Sequence, residues 1–547
     1  MTRTPDSKPK HGKRARAAFW VGAGIFLSRV AGFVRDATLA FYFGNSREAD
    51  VWRAALRIPN VIQNLLGEGT LSASFIPVYA EFLEEGREEE AGRFAGAALG
   101  ILVVVAFGVA LVGMGVAPFL VELFFFEWDP DKQALTASLV RILFPMTALL
   151  VVSAWTLGVL NSHRRFFVSY VAPVAWNAAI ITALVVFGSV LGWEAAGRDA
   201  DLVTAMAWGA LAGGLLQILA QLPWAIPLLK RFRLSVDRKV KGVQEAIRNF
   251  LPVLAARGIV NISGFLDFVL AGVLAEGALA ILGYAQALYL LPIALFGMSI
   301  AAAELPELSR KRQEIQSVLV PRVRQALDRV AFLLIPSALA YLFLGDVLTA
   351  ALLQRGDFGP ADTMAVHVVL AAYALGLPAS ASSRSLSSAF YAIRDTKTPA
   401  VIATGRVVLS LAVGVSLMFP LDRFGVGELR FGAAGLALGS AVGAWLEYGL
   451  LRRHLTQRLG AHGPERSRLA RMAVAGIVAV GLGLGAKMLL GFSGTPGMLT
   501  TFFPEGSWIL DPLSAAGTAG AFGVGYLGIS ALLGVGIPLR SSSQSSG

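Results

Sequence analysis

The sequence predicts an all-α polytopic membrane protein of about fourteen transmembrane helices. Three observations lead to this fold class. The 547 residues have a mean hydropathy of +0.65, and only 15% of them are charged. Apolar runs long enough to cross a bilayer recur along the whole chain. The Lys and Arg residues outside those runs fall almost entirely on one side of the resulting topology.

The composition excludes several kinds of site. The chain contains no Cys, which removes disulfides, thiolate metal sites and cysteine nucleophiles. Its five His residues are not spaced like metal ligands. The net charge of +11 would suggest nucleic acid in a soluble protein, but basic loops on one side of a membrane explain it, so no nucleic-acid partner is expected. No GxxxxGK[ST] motif is present, so ATP hydrolysis is not supported.

The first predicted span follows a basic tail, residues 1–16. The next apolar run is too long for a signal-peptide core and lacks a cleavage site of small residues, so it is expected to be an uncleaved transmembrane helix. The predicted spans are residues 17–43, 50–80, 94–126, 134–160, 168–193, 202–229, 249–275, 279–305, 330–352, 363–393, 400–420, 431–451, 472–491 and 509–536. The basic residues on the far side are only Arg47, Lys132, Arg198, Arg355, Arg423 and Arg430. Both termini are therefore expected in the cytoplasm.

The first two predicted spans contain charged residues that would be unfavourable in contact with lipid. On a helical wheel, the first span places within an arc of about 120° the residues Ser28, Arg29, Gly32, Arg35 and Asp36. The second span, treated as a straight helix although Pro59 will perturb it, places within about 80° the residues Asp50, Arg53, Arg57, Asn60, Asn64 and Glu68. An intramembrane charge costs about 2.5–3.5 kcal/mol on insertion scales, so the two stripes predict a polar, arginine-rich cavity inside the bilayer. The alternative is that the arginines snorkel to the interfaces or form structural ion pairs, which suits Asp50 and Arg53 best.

Helices three to six are more conventional. In the sixth span, Gly213 and Gly214 are expected to allow close helix packing, and Gln217 and Gln221 to form hydrogen bonds across helices. A basic linker with an amphipathic end, residues 231–248, follows. It either lies on the anionic inner leaflet or is a solvated loop, and the sequence leaves both readings open.

After the linker, features of the first part of the chain are repeated. Asp267, Pro292 and Pro306 repeat Asp36, Pro59 and Pro77 at intervals of about 230 residues. This repeat predicts two six-helix lobes, residues 17–230 and 249–455, related by a pseudo-twofold axis along the membrane normal. Such lobes typically rock about a central site. Two further helices within residues 466–538 and a disordered tail, residues 539–547, complete the predicted domains.

Several motifs in this order resemble the MurJ/MviN family of lipid II flippases, within the multidrug/oligosaccharidyl-lipid/polysaccharide exporter superfamily. The motifs are SRVAGFVRD, IPN, GEG, FIPVYAEF, GGLLQILAQLP and FYAIRDTKTP, and the resemblance covers residues 18–455. It implies a transporter, not an enzyme, that flips the undecaprenyl-pyrophosphate-linked peptidoglycan precursor across the bacterial cytoplasmic membrane by alternating access. We expect a monomer in contact with membrane lipids, with no cofactor beyond a monovalent cation or the membrane potential.

The family's functional positions match Ser28, Arg29, Arg35, Asp36, Asp50 and Glu68. Guanidinium groups suit a pyrophosphate because they offer several donors and stay charged. The chain departs from the family where a basic pair is replaced by Gln63 and Asn64, and where an arginine is replaced by Ala287. Whether Arg53, Arg57 or Arg257 replaces that charge stays open.

Two carboxylates are candidates for a cation site, Asp267 inside helix seven and Asp395 at the inner end of helix ten. For Asp267 the alternative is pairing with a nearby arginine. For the function, two alternatives to a lipid II flippase stay open. One is an exporter of another polyprenyl-linked glycan or small molecule, and the other is a membrane scaffold that transports nothing.

Overall fold

The computed structural model describes residues 11–293, 319–427, 429–492, 495–504, 507 and 509–536, without the side chains of residues 11–21, 255–257, 259–263 and 426. The first helices are α1 (His11–Phe43), α2 (Arg47–Leu66), α3 (Glu68–Glu84), α4 (Glu88–Phe124), α5 (Pro130–Ser162), α6 (Phe166–Val171), α7 (Pro173–Leu184), α8 (Asp199–Ala225) and α9 (Val243–Gly272). A π-helical turn, Val185–Val190, extends α7, and a 3₁₀ turn, Ile226–Leu228, extends α8.

The second half of the chain is also helical. Its helices are α10 (Ala278–Pro292), α11 (Val320–Leu353), α12 (Pro360–Ala374), α13 (Leu377–Ala392), α14 (Lys397–Leu421), α15 (Gly432–Leu459), α16 (Arg466–Leu490), α17 (Met498–Phe502) and α18 (Leu510–Leu532). Between α14 and α15, two short strands, β1 (Gly425–Val426) and β2 (Leu429–Arg430), pair antiparallel.

The helices confirm the predicted class, an all-α polytopic membrane protein. Among the described residues, nine helices are long and apolar enough to cross a membrane, and α12 with α13, bent by 43°, would make a tenth. The charged helices α1, α2, α3 and α9 are not among them, and α10 is a shorter apolar helix that ends next to the gap at residues 294–318. The number fourteen therefore stays a prediction.

The chain divides into two compact units. Unit 1 comprises the residues up to Tyr42 and Arg47–Val269, and unit 2 comprises Phe43–Ser46 and the residues from Leu270 onward. This division falls inside α9, whereas the predicted lobes are separated by the linker at residues 231–248. The six-helix repeat and its axis stay predictions, and Pro306, one of its markers, lies outside the described residues.

Aromatic stacking builds the core of unit 1 where α3, α4 and α5 meet. Phe75 stacks on Tyr79 and Phe94 with ring centroids 5.2 and 5.3 Å apart, and the Phe75 ring is 1% exposed. Such rings stabilise a core through large buried area and offset stacking. Nearby, Gln217 of α8 donates to the Ser153 hydroxyl of α5 at 2.8 Å, and that hydroxyl donates to Gln221 at 3.1 Å. The predicted hydrogen bonds of the two glutamines across helices are thus confirmed.

The second predicted span is broken into two helices at Gly67. Its backbone N–H donates to the Gln63 carbonyl at 2.7 Å, and a Cβ at this position would lie 2.4 Å from the same oxygen. Only glycine permits that approach, whereas Pro59 stays inside α2. Treating residues 50–80 as one straight helix was therefore wrong, because Glu68 is the first residue of the separate helix α3.

In unit 2, the last two long helices pack on α11. The Tyr526 hydroxyl of α18 donates to the Phe332 carbonyl at 2.8 Å, and their rings lie 5.4 Å apart. The Lys487 ammonium of α16 forms an ion pair with Asp346 of α11. The ion pair explains how Lys487 is accommodated in the last turn of an apolar helix, because its charge is paired with a carboxylate of the protein.

Candidate functional site

Three charged side chains of α1 and α2 meet inside unit 1, and we call them the charge cluster: Arg35, Asp36 and Arg53. The Arg35 guanidinium donates through Nη2 and Nε to Asp36 Oδ1 at 2.9 and 3.2 Å. Arg53 Nη1 lies 3.5 Å from the same carboxylate oxygen. Asp36 is 7% exposed. One buried carboxylate is therefore shared by two guanidiniums, which leaves the charge cluster with a net positive charge.

Helix α7 fixes the position of Arg35. Its Nη1 donates to Asn177 Oδ1 at 3.2 Å, and its guanidinium carbon lies 5.2 Å from the centre of the Trp176 ring. The Asn177 amide nitrogen donates to the Pro173 carbonyl at 3.0 Å, so the amide oxygen is turned toward the arginine. Sequence reasoning missed both residues of α7. The sequence feature that could have identified this contact is an asparagine within an otherwise apolar span.

Arg57 lies one helical turn beyond Arg53 on α2 and contacts α9. Its guanidinium carbon is 4.6 Å from the centre of the Phe268 ring. A Cβ at Gly264 would lie 2.7 Å from Arg57 Nη2, so this glycine leaves the space that the guanidinium needs. Arg57 thus lies against the stretch of α9 that contains Asp267. The side chain of Arg257 lies outside the described residues, so its predicted role is not tested.

Asp50 has a different environment from Arg53 and Arg57. Its carboxylate accepts from the Lys132 ammonium of α5 at 3.1 Å, and the two residues are 1% and 4% exposed. The Lys132 ammonium also lies 4.1 Å from the centre of the Trp128 ring. This buried pair ties α2 to α5. A structural ion pair is the alternative interpretation that the sequence analysis gave for Asp50.

The remaining predicted residues are more accessible. Arg29, Asn64 and Glu68 have exposed side chains, whereas Ser28 and Asn60 are half-buried. Exposure here means that unit 1 does not cover these side chains. Their part in a binding site stays a prediction.

Replacing Lys132 by methionine is expected to destabilise the protein by about 3–5 kcal/mol, because it leaves the Asp50 carboxylate buried without its cation. The double variant Lys132→Met/Asp50→Leu should recover most of that loss, since both charges are then removed. Unfolding in detergent measures the effect. If Asp50→Leu alone left stability unchanged, the pair would not hold α2 to α5.

Asp395, the second candidate for a cation site, caps the first turn of α14, and its part in a cation site stays a prediction. One carboxylate oxygen accepts from the Thr398 backbone N–H at 2.9 Å, and the other accepts from the Thr398 hydroxyl at 2.6 Å. Arg458 Nη1 lies 2.6 Å from that second oxygen. The hydrogen bond from the Thr398 hydroxyl, with the backbone N–H and the charge of Arg458, holds the pKa of Asp395 below its ordinary value of 3.8.

No group of three or more His, Cys, Asp or Glu in the described residues could hold a metal ion.

The lowered pKa of Asp395 predicts a pH-dependent contribution to stability. A carboxyl group whose pKa is lower in the folded state stabilises the protein above its unfolded pKa, near 3.8, and loses this effect as pH falls through the folded pKa. Asp395→Asn should therefore lower the thermal midpoint near neutral pH, and the difference from wild type should shrink below about pH 3.8. A difference that stayed constant down to acid pH would exclude this capping role.

The fold defines a multi-pass membrane protein, and its charge cluster holds three ionised side chains inside unit 1, which is typical of transporters. Over residues 39–504 the sequence matches the family described as "Lipid II flippase MurJ". A relative from Burkholderia cenocepacia, named "Lipid II flippase MurJ", is 32% identical over 81% of this chain and 84% of its own. One from Rhizobium meliloti, named "Probable lipid II flippase MurJ", is 30% identical over 84% of each chain. This chain belongs to the MurJ family.

Solved structures show the same fold. One titled "Lipid II flippase MurJ, inward closed conformation" has a TM-score of 0.74 at 21% identity and covers 94% of this chain and 98% of its own. An inward-facing multidrug resistance MATE family transporter has a TM-score of 0.61 at 15% identity, over 78% of this chain and 94% of its own.

Proposed function

We propose that this chain flips lipid II, the undecaprenyl-pyrophosphate-linked peptidoglycan precursor, from the inner to the outer leaflet by alternating access. The observation that carries the proposal is the net-positive charge cluster inside a member of the MurJ family. A pyrophosphate needs fixed cations with several donors, and arginine side chains supply them without losing their charge. No covalent bond is formed or broken in this step.

The location of the protein follows from the same proposal. It lies in the bacterial cytoplasmic membrane with both termini in the cytoplasm, since the basic loops are then on the inner side. It acts as a monomer, with membrane lipids as its surroundings.

Native mass spectrometry of the purified protein tests the substrate. The expected result is a bound lipid with the mass of lipid II, together with growth of a flippase-depleted bacterium that expresses this chain. A second candidate substrate, another polyprenyl-linked glycan, is favoured by Gln63, Asn64 and Ala287, which replace basic residues typical of the family. A bound lipid of different mass, with no rescue of growth, would support that substrate and exclude lipid II.

Coupling to a cation would involve Asp267, the carboxylate beside the residues of α9 that contact Arg57. We expect Asp267→Asn to abolish the ion dependence of transport, because asparagine removes the anionic ligand that a monovalent cation needs. Asp395→Asn is the matched control, since its carboxylate is engaged with Thr398 and Arg458. Lipid flipping into proteoliposomes with and without a Na⁺ gradient measures the effect. Unchanged ion dependence in Asp267→Asn would exclude the cation site and favour pairing with an arginine.

A further inference from the structure

The connection between α8 and α9, residues 230–242, lies along α4, and we call it the strap. Its backbone contacts three glycines spaced four residues apart on one face of α4. A Cβ at Gly92, Gly96 or Gly100 would lie 2.2, 1.9 or 2.0 Å from a carbonyl oxygen of the strap, those of Lys230, Arg233 and Ser235. The Ser235 backbone N–H donates to the Gly96 carbonyl at 3.4 Å. The strap is therefore in direct backbone contact with α4.

Ion pairs hold the two ends of the strap to the acidic first turn of α4. Near its start, Lys230 pairs with Glu88 at 3.0 Å and Arg231 with Glu89 at 2.7 Å, and near its end Lys241 pairs with Glu90 at 3.1 Å.

Apolar contacts fix the inner side of the strap. The Phe232 ring lies 6.1 Å from that of Trp155, and Val240 packs on the same aromatic core. At the end of the strap, Gly242 adopts a φ of +88°, and a Cβ there would lie 2.7 Å from a methyl carbon of Val78. The inner side of the strap thus packs against the rest of unit 1.

The other side of the strap presents apolar and basic side chains together. Leu234 and Val236 are 64% and 61% exposed. Arg233, Arg238 and Lys239 are exposed, and none of the described acidic side chains forms an ion pair with them. The acidic residue among them, Asp237, accepts a hydrogen bond from the Lys239 backbone N–H at 2.8 Å. The outward side therefore has an excess of positive charge around two exposed aliphatic residues.

The length of α4 places this outward side near the membrane surface. With 37 residues, α4 is about 55 Å long, far more than the roughly 30 Å of a bilayer's hydrocarbon core. The first turn of α4 carries Glu88, Glu89 and Glu90, which are too costly to place in hydrocarbon, so this end of α4 lies at the membrane surface. The strap forms ion pairs with these three residues and therefore lies at the same surface.

We propose that the strap is a membrane-surface contact that binds anionic phospholipids. Leu234 and Val236 insert at the boundary between headgroups and acyl chains, while Arg233, Arg238 and Lys239 contact lipid phosphates. Aliphatic side chains beside basic ones are the combination that favours this interfacial position. The proposal does not depend on the transported substrate.

The absence of cysteine from the sequence makes a site-specific test direct. Leu234→Cys in the full chain is labelled with an environment-sensitive fluorophore and placed in single-copy nanodiscs, with or without phosphatidylglycerol. Glu84→Cys, at the exposed end of α3, is the matched control, and Val236→Cys serves if the first variant does not fold. We expect the label at position 234, unlike that at 84, to be quenched by brominated acyl chains and protected from aqueous iodide. The protection should increase with phosphatidylglycerol.

The charge component is tested by the triple variant Arg233→Gln/Arg238→Gln/Lys239→Gln. It should lose the dependence on phosphatidylglycerol while keeping the wild-type unfolding midpoint, since these three side chains hold no other part of unit 1. Iodide quenching at 234 equal to that at 84 would overturn the proposal and leave the strap a solvated loop. Protection from iodide without quenching by brominated lipid would also overturn it, since a protein surface would then cover the strap.

Discussion

Asp36→Asn is expected to destabilise the protein by about 3–5 kcal/mol, the largest loss for any single change in the charge cluster. The carboxylate is 7% exposed and is shared by Arg35 and Arg53. An uncharged amide would leave two guanidiniums close together in a medium that solvates them poorly. Unfolding of the purified protein in detergent, followed by the fluorescence of its tryptophans, measures the loss.

A double-mutant cycle separates this charge effect from a general loss of packing. Asp36→Asn/Arg35→Gln removes one charge of each sign, so it should be more stable than Asp36→Asn alone. The matched control pairs Arg35→Gln with Asp395→Asn, a carboxylate that binds Thr398 and Arg458 instead. If the Asp36 double variant lost as much stability as the sum of its single changes, the shared carboxylate would not be the cause.

Arg29→Ala is expected to abolish transport while leaving the protein folded and inserted. The side chain is exposed, so its removal opens no cavity in unit 1. In the proposed function it binds pyrophosphate, and charge-assisted hydrogen bonds contribute roughly 1.5–3 kcal/mol each, which is more than tenfold in affinity. Arg29→Lys should rescue only partly, because an ammonium keeps the charge and loses the planar set of donors.

The assay for Arg29 is growth of a flippase-depleted bacterium, with the amount of each variant in the membrane measured alongside. Arg141→Ala is the control, because Arg141 is also exposed on a membrane-spanning helix and donates to a backbone carbonyl, that of Met114, at 3.4 Å. Normal growth with well-expressed Arg29→Ala would remove Arg29 from the site and weaken the proposed function.

Much of the fold follows from energetics that the sequence makes visible. A charge in a long apolar helix must face protein or water, and Arg35, Asp36 and Arg53 form ion pairs with one another, whereas the arginine-rich cavity stays a prediction. The same reasoning applied to glutamines of α8 correctly predicted hydrogen bonds across helices. The polar face of a helix can be predicted because helical periodicity depends only on the sequence of that one helix.

Pairings between distant helices could not be predicted in this way. The Asp50–Lys132 pair joins residues 82 positions apart, and nothing local to either helix specifies it. Asn177 and Trp176 contact Arg35 only because α7 packs beside α1. The break at Gly67 was missed because proline is the stronger helix breaker on intrinsic propensity, and local geometry decided otherwise.

The sharing of Asp36 between two arginines has a consequence for the release of an anionic ligand. For the transport that we propose, an incoming phosphate would compete with a carboxylate that is already in place, and Arg35 and Arg53 would exchange one anion for another. The donors are ordered in advance, so little conformational entropy would be lost when the ligand arrives. The resident carboxylate would also reclaim the donors when the ligand leaves, which would limit affinity and shorten residence time. A carrier needs that balance, because a ligand bound too tightly on one side of the membrane would never dissociate on the other.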